Sequence, residues 1–240
     1  MNKEKLLDEN SKHALQSDNI IAITNRHLCS RPFMEQLERV CKLHPHAIVL
    51  REKDMPEAEY LSLARDVIAL CKKYDVQCML HSFINVAMEL EHPYIHLPLP
   101  ILEAYVKKNV SGNIYTGMSK STDNYQQFFK VIGTSVHSVE DAIKAEQLGA
   151  TYMTAGHIFA TDCKKGLPPR GLDFLKNVCD AVGIPVYAIG GINIASSDDS
   201  TASDAPPAYD AMPDISVPRL ADVMKCGAAG GCIMSGMMRV

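Results

Sequence analysis

The chain has 240 residues, 47% of them hydrophobic and 22% charged, with a formal net charge of -4. This length suits one domain with a sizeable core, and the acidic balance argues against a general nucleic-acid surface. The start, MNKEKLLDENSKHALQ, is unlike a signal peptide, and no apolar run reaches the roughly 20 residues that span a bilayer. The expectation is a cytoplasmic protein with no membrane and no nucleic-acid partner. Its eight cysteines form no CxxC pair, so they read as free thiols in a reducing compartment rather than a zinc site.

Taken in order, residues 3–16 are expected to form a short helix. Residues 20–24 (IIAIT) are short, apolar and β-branched, as a strand requires. Pro32 opens a helix with Phe33, Leu37, Val40 and Cys41 on one face. A second strand is expected over 47–51, and a helix from Pro56 to about Tyr74. A third strand follows over 77–80, then a short helix over 84–90. The fourth strand, 94–97, is stopped by Pro98 and Pro100. The fifth is predicted over 131–135, followed by a helix over 139–148 that closes on Gly149. Residues 151–155, 185–189 and 231–234 supply strands six to eight, with a helix over 172–182.

Eight strands alternating with helices predict an α/β fold, a (β/α)8 TIM barrel forming one domain over 1–240. An open doubly wound sheet is the alternative, but no GxGxxG follows the first strand. The sequence stops just after strand eight, so the eighth helix is expected to be short or missing. The N-terminal helix or a neighbouring subunit would cover the gap, and a homo-oligomer is expected. Residues 111–130 and 194–213 read as insertions. The second is rich in Ser, Asp, Ala and Pro, and reads equally as a mobile loop beside the active site or a neutral surface insertion.

Alternate strand residues face opposite ways, which sorts the polar groups. Gly133, Ser135 and His137 share the inward parity of strand five, and Arg51 and Lys53 face the barrel mouth together. Gly156 and His157 follow strand six, Gly190 and Gly191 strand seven, and Ser235 and Gly236 strand eight. Glycine-bearing ends of strands seven and eight suit a phosphate cradle, though a lone GG is also a plain tight turn. Arg51, Lys53, Lys164, Lys165 and Arg170 put positive charge round one mouth of a net-acidic chain, which suits an anionic small substrate. His137 is the acid/base candidate, since an imidazole both takes and gives a proton near neutrality. His81 and His157 are weaker candidates, and His44, His46, His92 and His96 read as structural or exposed.

These landmarks resemble the thiamine phosphate synthase superfamily, in particular its TenI-like branch. The likeness rests on LREKD (50–54), IGTSVHSVEDA (132–142), GHIFATDCKKGLPPRG (156–171), IPVYAIGGI (184–192) and IMSGM (233–237). The synthases join a pyrimidine diphosphate to a thiazole phosphate with Mg²⁺. Their Asn-Asp pair after strand three and Asp after strand four match His81-Ser82 and Ile101 here, and Val49 replaces a Gln. Arg51, Lys53, Ser135 and Lys164 remain. TenI-like proteins that depart in this way are similar to thiazole tautomerases, which aromatise a carboxylated thiazole phosphate by a 1,3-type proton shift and need no metal. The resemblance implies that His137 shuttles the proton and that Gly190, Gly191, Met234 and Ser235 hold the phosphate. Thr161, Asp162 and Cys163 would line the thiazole pocket, with Lys164 nearby. A phosphorylated thiazole is the implied partner. No cofactor is implied, Mg²⁺ entering only under the synthase alternative. A third alternative is a non-catalytic regulatory protein that keeps the phosphate cradle.

Overall fold

A computed structural model describes residues 18–112, 128–161, 164–194 and 217–240. Its strands are β1 (Ile20–Ile23), β2 (Ala47–Leu50), β3 (Gln77–His81), β4 (Tyr94–Pro98), β5 (Val131–Val136), β6 (Tyr152–Gly156), β7 (Val186–Ile189) and β8 (Gly230–Ile233). They pair in chain order into a closed barrel, with β8 parallel to β1. The helices among the described residues are α1 (Phe33–Lys42), α2 (Glu57–Lys73), α3 (Ile84–Glu89), α4 (Leu99–Gly112), α5 (Val139–Gln147), α6 (Gly171–Ala181) and α7 (Leu220–Lys225). None of them is long and apolar enough to cross a membrane.

The strands are apolar on both faces because both faces are buried. Ile21, Val49, Met79, Tyr152, Tyr187 and Cys232 fill the barrel interior. Residues of the other parity, among them Ile48, Leu50, Leu80, Ile95, Ile132 and Val136, pack under the helices. The interior parity of Val49 carries on to Arg51 and Lys53, and that of Val131 to Ser135 and His137, so the strand pattern aims these groups at the mouth. Ser138 caps α5, its hydroxyl accepting from the Asp141 amide at 3.0 Å. Gly149, at φ 86, ends the same helix, and the Ala150 amide returns to the Ala145 carbonyl at 3.0 Å.

Two helices were not expected from the sequence. The fourth strand stops at Pro98 as expected to within a residue, but a helix follows at once: α4 starts at Leu99 with Pro100 in its first turn, where no N–H is needed. The short α7 is the second. From the end of β8 to Val240 the residues form turns, and α1 and the residue Arg31 before it hold this segment. Gln36 Nε2 donates to the Met237 and Val240 carbonyls at 2.8 and 3.1 Å, and Arg31 Nη1 to Val240 O at 2.9 Å. Met237 and Met238 are buried there. The expected helix over 3–16 and most of the 111–130 and 194–213 insertions lie outside the described residues.

Candidate active site

The end of β2 shows how one short run does two jobs. In residues 51–54 the basic side chains alternate with acidic ones, and the acidic ones turn away to clamp the loop after β1. Glu52, only 2% exposed, accepts from Thr24 Oγ1 at 2.6 Å, from the Arg26 amide at 3.1 Å and from Arg26 Nη1 at 3.0 Å. Thr24 Oγ1 in turn accepts from the Arg51 amide at 2.9 Å. Asp54 takes both arms of Arg26, at 2.8 and 2.7 Å, and His27 Nε2 at 2.9 Å. Those bonds hold its carboxyl well below the usual range, Arg26 contributing most. The latch fixes the backbone from which Arg51 and Lys53 project.

Burial lowers the Lys53 ammonium pKa, and the charges of Arg51 and Lys164 lower it further. The three cations therefore share one field, and an anion among them would relieve their mutual repulsion. Beneath them lie two neutral imidazoles. His81 ends β3, and His96 sits on β4, their rings stacked with centroids 5.7 Å apart. Desolvation, then the neighbouring charges, pushes His81 down to about 2 and His96 down to about 3. Ser82 Oγ bonds His81 Nδ1 at 2.8 Å. His96 Nε2 meets Ser135 Oγ at 2.9 Å, and its Nδ1 meets the Tyr152 hydroxyl at 2.9 Å. Thr154 Oγ1 completes the row 2.9 Å from Ser135 Oγ.

His137 lies just past β5, exposed, with its Nδ1 2.9 Å from the Gly156 carbonyl at the end of β6. A carbonyl only accepts, so Nδ1 carries the hydrogen and the neutral ring keeps its Nε2 lone pair free for a proton. The Asp141 carboxylate steadies the same residue, accepting from the His137 amide at 3.3 Å.

The other predicted residues are placed less directly. Gly190 and Gly191 have φ values of 100 and 70, which glycine alone adopts without strain. A Cβ on Gly190 would lie 2.5 Å from His157 Cβ, and one on Gly191 2.5 Å from Ala160 O. Their bareness thus lets the loop after β6 close over them, the tight-turn role that the sequence left open beside the phosphate cradle. His157 stays in that loop, its Nε2 3.4 Å from the Leu167 carbonyl. Lys164 is tied back through its amide to Thr161 O at 3.0 Å. Arg170 caps α6 and lies 5.3 Å from the Phe174 ring. Met234 packs against the interior cluster, with Ser235 partly exposed in the turn beyond β8. Asp162 and Cys163 lie outside the described residues.

His96, which the sequence left as structural or exposed, is 4% exposed and bonds Ser135 directly, so it belongs to the site as well. Its inward parity, the same as that of Tyr94, was the signal. Tyr152 and Thr154 were missed for the same reason. Arg219 was also missed. It stacks 4.6 Å over Phe159 and donates to Gly191 O at 2.6 Å, which no local pattern announces.

A cavity of about 230 Å³ opens at the opposite end of the barrel, among strand-start residues such as Ile21, Gln77, Met79 and Tyr187. It is smaller than the roughly 300–1,000 Å³ usual for ligand pockets, and the convergent charged groups lie at the mouth instead.

A family model described as thiamine monophosphate synthase matches residues 20–208. A relative from Aquifex aeolicus (strain VF5), called putative thiamine-phosphate synthase 2, is 35% identical over 173 residues, 72% of this chain and 84% of the relative. The thiamine-phosphate synthase of Caldanaerobacter subterraneus subsp. tengcongensis is 30% identical over 175 residues, 72% of this chain and 75% of the relative. Among solved structures, a thiamine phosphate pyrophosphorylase from Pyrococcus furiosus matches with a TM-score of 0.64 at 25% identity, covering 94% of this chain and 89% of that one.

Proposed function

The chain belongs to the thiamine monophosphate synthase family, and on that footing we propose that it is a thiazole tautomerase, moving a proton on a carboxylated thiazole phosphate. The observation that carries this reading is the His137 Nδ1–Gly156 O bond of 2.9 Å, which leaves Nε2 bare at the strand ends. Nε2 takes a proton from a ring carbon of the non-aromatic substrate. The electron pair left behind delocalises over the ring, and the imidazolium returns the same proton two atoms away. Nothing is gained or lost, and the Nδ1 bond persists in both protonation states, so the ring keeps its aim. Arg51, Lys53 and Lys164 supply the field that draws in a phosphate and a carboxylate.

A second reading is a transferase. It is favoured by the names of the relatives, thiamine-phosphate synthases. Mg²⁺ would need a set of oxygen ligands. Among the described residues no group of three or more His, Cys, Asp or Glu could hold a metal ion. Glu52 and Asp54, the carboxylates next to the mouth, are engaged by Arg26. The positions matched to the Asn-Asp pair and the Asp of the synthases hold His81-Ser82 and Ile101. These residues do not fit a magnesium site.

His137→Ala is expected to abolish the accelerated proton shift while leaving thiazole phosphate binding nearly intact. Full turnover in that variant would remove the assignment. EDTA should leave the proton shift unchanged, whereas Mg²⁺-dependent pyrophosphate release from the two synthase substrates would establish the transferase instead. Binding of thiazole phosphate with neither reaction would mark a regulatory protein.

A further inference from the structure

The row Tyr152–His96–Ser135–Thr154 runs from the barrel interior to the mouth, and its protons can be counted. Tyr152 is 7% exposed, His96 4% and Thr154 2%, while Ser135 is half-buried. His96 is neutral because burial and the nearby Arg51 and Lys53 oppose a charge, so it carries one N–H, on either nitrogen. A carbon on Gly133 would overlap the Tyr152 ring, so the missing side chain there is what seats the phenol against His96.

Suppose Ser135 donated to His96 Nε2. Then Nδ1 would hold the hydrogen and donate to the Tyr152 oxygen, and the buried phenol proton would lose its partner. Suppose instead Ser135 donated to Thr154. The buried Thr154 proton would then have nowhere to go. Each orphaned buried donor is costly. One arrangement leaves none: Tyr152 O–H donates to Nδ1, Nε2–H donates to Ser135 Oγ, and Thr154 O–H donates to Ser135 Oγ. Both lone pairs of Ser135 are then filled, and its own proton points into the mouth.

We propose that Tyr152 is a positioning residue that holds His96 in its Nε2–H form and so makes Ser135 a compulsory hydrogen-bond donor to the ligand. The site therefore selects a ligand with an acceptor at that point, and under the tautomerase reading, on which this part rests, the acceptor is the carboxylate of the thiazole. A ligand group that must itself donate there is refused.

Nitrogen NMR of the ring of His96 in the full chain, without ligand, tests the first half independently of the reaction. The expected signal is a protonated Nε2 and a bare Nδ1; the opposite tautomer in the wild type overturns the proposal. In Tyr152→Phe, either tautomer leaves one ring nitrogen unpaired, so both should appear. A pure Nε2–H signal in that variant removes Tyr152 from the role. Should Tyr152→Phe fail to fold, the wild-type tautomer and Ser135→Ala still decide. Ser135→Ala should weaken binding of the carboxylated thiazole phosphate about ten-fold or more, and binding of the thiazole phosphate lacking the carboxylate by less than two-fold. Equal losses for both ligands in Ser135→Ala would refute the carboxylate assignment. If neither ligand binds the wild type, the tautomerase reading fails while the NMR result stands.

Discussion

Glu52→Ala measures how far the mouth depends on the clamp behind it. Glu52 accepts from a buried hydroxyl, Thr24 Oγ1, from a backbone amide, that of Arg26, and from the Arg26 guanidinium. The guanidinium keeps Asp54 after the change, so its loss counts for little. Thr24 is fully buried, and its hydroxyl proton and the Arg26 amide lose their acceptor. Each unsatisfied donor costs about 1–3 kcal/mol, which gives roughly 3 kcal/mol in total. For a domain of this size that is a fall in Tm of about 6–12 °C. Glu52→Gln keeps an acceptor for Thr24 and should lose only about 1 kcal/mol. Because Thr24 also holds the Arg51 amide, the alanine variant should in addition raise KM for a phosphate-bearing substrate more than it lowers kcat. Calorimetry on the three proteins reads the stability effect. A Tm within 2 °C of the wild type for Glu52→Ala, or no difference between the alanine and glutamine variants, would refute the latch.

Acid should destabilise the fold through the two inner imidazoles. Their folded pKa values, about 2 and 3, lie below the ordinary histidine value, so the unfolded chain binds more protons in the window between. Stability therefore falls as pH drops from about 6.5, by up to about 2 kcal/mol per ring at pH 5. His96→Gln should flatten that decline in a urea titration, and an unchanged slope would contradict it. Gly190→Ala forces a side chain into a φ of 100 with a Cβ 2.5 Å from His157, so a loss of about 2–4 kcal/mol in denaturant is expected. Lys53→Met removes one of three crowded cations. Phosphate-ligand affinity should fall about ten-fold at low salt and by less at high salt, a pattern a purely structural lysine would not produce.

The barrel was legible in the sequence because it is written at short range. Apolar runs of four to six residues, the Ser138 cap, the Gly149 stop and the mouth-facing parity of Arg51, Lys53, Ser135 and His137 all follow from neighbours along the chain. What the prolines did was less legible. Pro98 and Pro100 mark a break, yet whether a helix starts at once depends on what that helix can pack against. The acid/base candidate could be named from its place at a strand end, but its usable nitrogen could not, since the Gly156 carbonyl that decides it lies 19 residues away on the next strand. His96 is the sharper case. By itself it is one histidine among nine. Only barrel closure sets its ring between a tyrosine and a serine from other strands and strips away the water that would otherwise satisfy all three. The alternation of side chains along each strand is a local property of the backbone, so the sequence contains it. Hydrogen-bond direction in a dry interior depends on every partner at once, and only the tertiary structure decides that.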